Sequence, residues 1–156
     1  MIIEVWWIGK TQDKVLEKGI AEYQKRIQRL NNMRWVTLPD LKRASTMSSD
    51  QRKEKEGELI LGKLNDDDLL VILDERGKEF TSVNWAKWLE KKMASPGKRM
   101  VFLIGGTFGF SEPVFERAGF SIALSQMTLT HEMTRLVLAE QFYRAFTIIN
   151  NIKYHY

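Results

Sequence analysis

The chain has 156 residues, with 24 Lys and Arg against 20 Asp and Glu, and no cysteine. That length fits one domain over residues 1–156, burying roughly 68–70% of its unfolded surface without a cross-link. The missing cysteines exclude a disulfide framework and a thiolate zinc site and accord with a cytoplasmic protein, while the lack of any apolar run near 18 residues excludes a membrane-spanning helix. Ile2–Ile8 reads as a first strand ended by Gly9; Glu4 inside this apolar run, with no basic flank before it, argues against a signal peptide. Leu16, Ile20, Tyr23, Ile27 and Leu30 recur at helical spacing and predict a helix over Asp13–Leu30. Met33–Leu38 reads as a second strand stopped by Pro39, and Leu41–Ser49 as a polar, basic loop. A charged helix is expected from a cap at Ser49 or Asp50 to about Leu64, then a turn at Asn65-Asp66-Asp67-Asp68. Leu69–Leu73 is a continuous apolar strand, expected to be buried on both faces. Arg76-Gly77-Lys78 reads as a loop. Ser82–Met93 reads as a helix with Trp85, Ala86 and Leu89 on one side, broken by Ser95-Pro96-Gly97. Arg99–Ile104 and Phe120–Leu124 are strands on either side of a helix opened by Ser111-Glu112-Pro113, and a last helix spans about Thr134–Asn150.

Strand and helix alternate, which predicts an α/β fold: a mostly parallel sheet with helices on both faces. Two of its strands end in small or polar residues, at Gly105-Gly106 and at Ser125-Gln126-Met127. In open α/β sheets ligands sit at the carboxyl ends of strands, so these two ends predict one shared pocket. The glycine loop is neither a dinucleotide fingerprint nor a P-loop: its spacing is Gly105-Gly106-Thr107-Phe108-Gly109. It serves either as a tight strand-to-helix turn or as a place where backbone meets a ligand.

Nucleophilic and metal chemistry are poorly supplied. There is no cysteine and no G-x-S-x-G elbow, and the two histidines, His131 and His155, are too few for a triad or a metal centre. No metal site is expected. The cations crowd into the first third, from Lys10 through Arg26, Arg29, Lys42 and Arg43 to Lys55. They form either solvated helix faces or a surface that tracks phosphates. The last helix is apolar nearly all round: Leu138, Phe142, Ala145, Phe146 and Ile149 make one face, and Leu136, Val137 and Ile148 surround Glu140 and Arg144 on the other. Such a helix is either central to the core or shared with a second subunit. Glu140 and Arg144 are four apart and can pair along it.

The segments EVWWIGK, KEGELIL, LDERGKEF, FLIGGTFGFS, LSQMTLTHEMTRLVLAEQFYRAF and the closing YHY resemble the SPOUT-class methyltransferases. The resemblance spans essentially the whole chain and is nearest to the small bacterial RlmH type, which methylates N3 of a pseudouridine in 23S ribosomal RNA. It implies a C-terminal trefoil knot, a homodimer packed through the knot, and S-adenosylmethionine held in knot loops. The implied cofactor contacts are Leu73, Gly105, Leu124, Ser125, Gln126, Met127, Thr128 and Leu129. His155 is the candidate base for the acceptor N3 proton, and Arg144 the candidate electrostatic aid. The pattern departs from the family at Thr107-Phe108, where a small residue or proline is more usual, and at Thr130-His131-Glu132, where a Pro-His-Pro-like stretch is. The expected partners are a second copy of the chain and 23S ribosomal RNA within the ribosome. The rival readings are a ribosome-binding or assembly factor that keeps the fold without the activity, and a SPOUT enzyme acting on transfer RNA.

Overall fold

In a computed structural model that describes residues 1–155, five parallel strands lie in the order β2-β1-β4-β3-β5. They are β1 (Ile2–Ile8), β2 (Arg34–Leu38), β3 (Leu69–Lys78), β4 (Arg99–Ile104) and β5 (Phe120–Ile122). The helices are α1 (Lys14–Gln28), α2 (Ser49–Leu61), α3 (Ser82–Met93), α4 (Glu112–Arg117) and α5 (His131–Ile149), with a short 3-10 turn at Ala44–Thr46.

Alternation along the strands sorts the core into two layers. Ile3, Val5, Trp7, Val71, Met100, Phe102 and Ile104 face α1, α3 and α5, where they meet Ile20, Ile27, Trp85, Leu89, Leu138 and Phe142. Trp6, Ile8, Leu70, Ile72, Val101 and Leu103 face α2 and α4, where they meet Ile60 and Val114. Leu70, Val71 and Ile72 are each almost wholly buried, as a two-sided central strand requires. Crossovers through α1 and α3 step toward the β2 edge, and those through α2 and α4 step away from it. Opposite steps on opposite faces give all four connections one hand, the rule for parallel strands.

Local chemistry moves several element ends from their expected places. The Asp13 carboxylate caps α1 from outside, accepting from the N–H of Val15 (2.9 Å) and Leu16 (3.1 Å). The cap of α2 is Ser48, not Ser49 or Asp50: its hydroxyl accepts from the Gln51 N–H while the Gln51 side chain accepts from the Ser48 N–H. Helix α5 starts at His131 rather than Thr134, because Thr130 Oγ1 accepts from the Met133 N–H at 3.1 Å.

The main correction concerns Arg76-Gly77-Lys78. These residues are the end of β3, not a loop. The ladder with β5 breaks its register after Leu73 and resumes with Lys78 opposite Ile122, and the Lys78 carbonyl accepts from the Ala123 N–H at 3.0 Å. Gly77 makes the return possible, since a Cβ there would stand 2.6 Å from the backbone N and C of Ile122.

The cations of the first third do not share one face. Lys14, Lys18, Lys25, Arg26 and Arg29 stand exposed on α1, on the opposite side of the sheet from α2, where Arg52 and Lys53 are half-buried. Helix α5 lies against both α1 and α3. It leaves Met133 exposed and Val137, Glu140, Arg144 and Ile148 half-buried in a stripe along one side.

Candidate functional site

The carboxyl ends of β3, β4 and β5 open into a cleft of about 950 Å³. Leu73, Ile104, Ile122, Leu124 and Leu129 give it apolar walls, and Gly105 and Gly106 give it bare backbone. Asp74, Glu75 and Glu132 add carboxylates at its rim. The two strand ends expected to share a pocket do share it.

The loop that closes the cleft is tied down by the far end of β3. Thr128 Oγ1 donates to Glu75, Gln126 Nε2 donates to Glu79 Oε2 at 3.2 Å, and the Met127 N–H donates to Ser125 Oγ at 3.0 Å. A β3 that stopped at Leu73 would leave this loop without anchors. On the opposite wall, Glu132 Oε1 accepts from the backbone N–H of Gln12 and Asp13, which fastens the start of α5 to the approach of α1.

Of the eight positions the resemblance assigns to cofactor, Leu73, Gly105, Leu124, Ser125, Met127, Thr128 and Leu129 line this one cleft. Gln126 does not; its side chain is turned to Glu79. Asp74, Glu75, Phe110, His131 and Glu132, none of them expected from the sequence, also line it. The first two carry no signal in a strand that stops at Leu73, and His131 and Glu132 have the look of an ordinary polar approach to a helix.

Arg135 supports the cleft from behind. It is 1% exposed and reaches no carboxylate among the described residues. Its guanidinium donates to the carbonyls of Ile8 (2.8 Å) and Gly9 (3.1 Å) and to Thr11 Oγ1 (3.0 Å), and lies over the Trp7 ring. Burial lowers its pKa, an expense that makes it a structural strut between α5 and the end of β1. Burial first, and then the Arg135 charge, also lower the pKa of His131. The Asp74 carboxyl is held below the usual range by its hydrogen bonds from Arg76.

Arg144 and His155 stand elsewhere. From Thr134 at the cleft to Arg144 the helix climbs roughly 15 Å. There Arg144 pairs with Glu140, lies over the Tyr154 ring, and contacts His155 Nδ1 at 3.2 Å through Nη1. The Tyr154 hydroxyl donates to Glu140 at 3.2 Å, and burial raises its pKa. Arginine can only donate, so Nδ1 of His155 is the accepting nitrogen and the neutral ring carries its proton on Nε2. Within one chain, then, the two candidate groups form a cluster around the Arg144–Glu140 ion pair that does not touch the cleft. Tyr156, the last residue of the aromatic tail, lies outside the described residues.

The family model described as "Predicted SPOUT methyltransferase" matches residues 1–155. The chain belongs to the SPOUT methyltransferase family. Among its SPOUT relatives is a "Ribosomal RNA large subunit methyltransferase H" of Parabacteroides distasonis, 48% identical over 149 residues, covering 96% of this chain and 95% of the relative. A protein of the same name from Christiangramia forsetii is 45% identical over 156 residues, 100% of this chain and 99% of its own. Among solved structures, a probable methylase family protein from Haemophilus influenzae Rd KW20 aligns with 99% of this SPOUT chain and 70% of its own, with TM-score 0.52 and 15% identity, a likeness of fold alone.

Proposed function

We propose that this SPOUT protein is an S-adenosylmethionine-dependent methyltransferase of the cytoplasm that methylates N3 of a pseudouridine in 23S ribosomal RNA. It acts as a homodimer on the ribosomal large subunit. The names of its relatives point to large-subunit ribosomal RNA. The observation that carries the reading is the convergence of seven of the eight expected contacts on one cleft. The chemistry of the cleft fits the donor: apolar walls for an adenine, bare glycine backbone for close approach, and carboxylates near a sulfonium cation and ribose hydroxyls. When bound, S-adenosylmethionine supplies an already activated methyl group. The protein's share is therefore orientation and charge placement rather than covalent catalysis. No grouping of side chains suited to a metal occurs among the described residues, and the reading includes no metal.

The acceptor N3 must lose a proton. With Nδ1 engaged by Arg144, His155 presents Nε2–H rather than a lone pair. The N–H donors of Arg144 and His155 are therefore better suited to stabilising a developing N3 or carbonyl anion than to removing the proton at that nitrogen. Because the cluster is remote from its own cleft, the half-exposed stripe of α5 is read as the dimer seam that brings the partner's cluster to it. The family's trefoil knot would hold cleft and seam together.

Two measurements test the proposal. Calorimetry should find S-adenosylmethionine binding, and mass spectrometry of 23S ribosomal RNA from a deletion strain should find one methyl missing and restored on complementation. Cofactor binding without a methylated product would favour the assembly-factor reading, and a methyl missing from transfer RNA instead would redirect the substrate.

A further inference from the structure

A second, smaller cavity of about 170 Å³ opens at the carboxyl ends of β1 and β4. This is where the sheet's connections diverge: β1 leaves toward β2 and β4 leaves toward β5, so it is the switch point at which open sheets bind ligands. The cavity shares Gly106, Thr107 and His131 with the large cleft, so an occupant of one would adjoin an occupant of the other.

Its floor is built. Glu56 is 3% exposed yet lines the cavity, with Oε1 held by Arg52 Nε at 3.2 Å. The other oxygen lies against Gly106, where a Cβ would come within 2.6 Å. The Arg52 guanidinium continues outward and lies 5.6 Å from the centre of the Phe108 ring. Phe108 is 47% exposed at the turn bridged by Gly106 and Gly109 and belongs to neither apolar cluster of the described residues. Lys10 lies at the cavity rim.

We propose that this cavity, with Phe108 next to its Thr107 wall and against Arg52, is a subsite for a uracil-type nucleotide that neighbours the acceptor in the RNA; this inference rests on the methyltransferase reading. A volume of 170 Å³ suits a one-ring base and is below the usual range for nucleoside-sized ligands. With Arg52 Nε and Glu56 Oε1 joined, the outer guanidinium N–H groups of Arg52 and Oε2 of Glu56 set a donor beside an acceptor in a wall that also holds Asp40, the complement of an adjacent carbonyl and imide N–H on a uracil ring. An imide edge engaged in this way is not free to accept a methyl group, so the occupant is a flanking nucleotide rather than the acceptor. Phe108 stacks on the base or on the next one, and Lys10 meets the backbone phosphate.

The test uses the full-length protein and large ribosomal particles lacking the modification. Phe108→Ala should raise KM for the particles about tenfold, as loss of one base–aromatic stack does, with kcat and S-adenosylmethionine affinity little changed. Phe108→Trp should keep the wild-type KM and Phe108→Leu should not. In parallel, uridine 5′-monophosphate added to protein saturated with S-adenosylhomocysteine should shift the NMR signals of Thr107 and Phe108, and adenosine 5′-monophosphate should not. An unchanged KM in Phe108→Ala, or equal shifts with both nucleotides, overturns the subsite. If the wild-type protein neither binds S-adenosylmethionine nor methylates the particles, it is the methyltransferase reading that fails.

Discussion

Glu132 Oε1 accepts from the backbone N–H of Gln12 at 2.6 Å and of Asp13 at 3.0 Å, across about 120 residues of sequence. One carboxylate oxygen thus fixes the angle between the start of α5 and the loop after β1, two walls of the same cleft. Glu132→Ala should cost about 1–2 kcal/mol in stability, the size of a pair of charge-assisted bonds that are partly solvated. It should also weaken S-adenosylmethionine binding severalfold. Chemical denaturation and calorimetry on the same variant check both; a loss of stability with unchanged affinity would remove Glu132 from the cleft wall.

Gly105 separates the cofactor question from the folding question. A Cβ there would stand 3.2 Å from two atoms of the Phe110 ring, which can give way by a few tenths of an ångström. Phe110 also lines the cleft, so the displacement enters the site. Gly105→Val should leave a folded protein with S-adenosylmethionine affinity reduced at least about tenfold, equivalent to ~1.4 kcal/mol. Calorimetry with a matched circular-dichroism melt decides it, and wild-type affinity would take Gly105 out of the site.

The stretch Leu73–Lys78 shows how far the sequence could be read. Leu70, Val71 and Ile72 announced a buried strand because both faces are apolar, and the glycine loop announced itself as a chain break. What the chain does after Leu73 is set by partners 45 or more residues away: Ala123 for the Lys78 carbonyl, Thr128 for Glu75, Gln126 for Glu79. No local pattern encodes those pairs, and Gly77 looked like a turn residue while acting as a close-approach residue. The same holds for Arg135, whose partners Ile8, Gly9 and Thr11 belong to β1 and the loop after it. The cleft's apolar walls were legible; its latches were not.

That latch makes a prediction of its own. In Gly77→Ala the new Cβ meets backbone of Ser121 and Ile122 under 3 Å, atoms that cannot rotate away. Overpacking of this kind costs typically about 1–3 kcal/mol. A thermal melt should show a loss of several degrees, and hydrogen exchange should show faster opening around Ala123–Thr128. A variant as stable as the parent would mean that the β3–β5 return is looser than its geometry.

The roughly 15 Å between the cleft and the Arg144–His155 cluster sets up a complementation test. Arg144→Ala should bind cofactor and fail in turnover, and Gly105→Val should fail to load cofactor at the concentration assayed while keeping its cluster intact. Neither homodimer should be active. If each site takes its cleft from one subunit and its cluster from the other, mixing the two after subunit exchange should restore roughly a quarter of wild-type activity. Half the dimers are then mixed, and each has one intact site. Light scattering should first report about twice 18.3 kDa. A mixture with no activity, at a confirmed dimer mass, would place cluster and cleft in the same subunit's site or in none.

His131 gives a pH dependence whose sign is fixed. Burial, then the charge of Arg135, push its pKa below the ordinary 6.5. Above pH 6.5 neither the folded nor the unfolded chain holds this proton, so His131 makes no difference. Between 6.5 and the lower folded value, the unfolded chain takes up a proton that the folded chain refuses, so stability falls as pH falls through that window. The carboxylates held low by arginine, Asp68 and Asp74, act in the same direction but only around their ordinary 3.8 and below. The two ranges are distinct. Denaturation of wild type and His131→Gln from pH 7.5 to 5 should therefore show a drop below 6.5 in the wild type that the variant lacks. Parallel curves would mean that the His131 imidazole is as free to protonate in the fold as out of it.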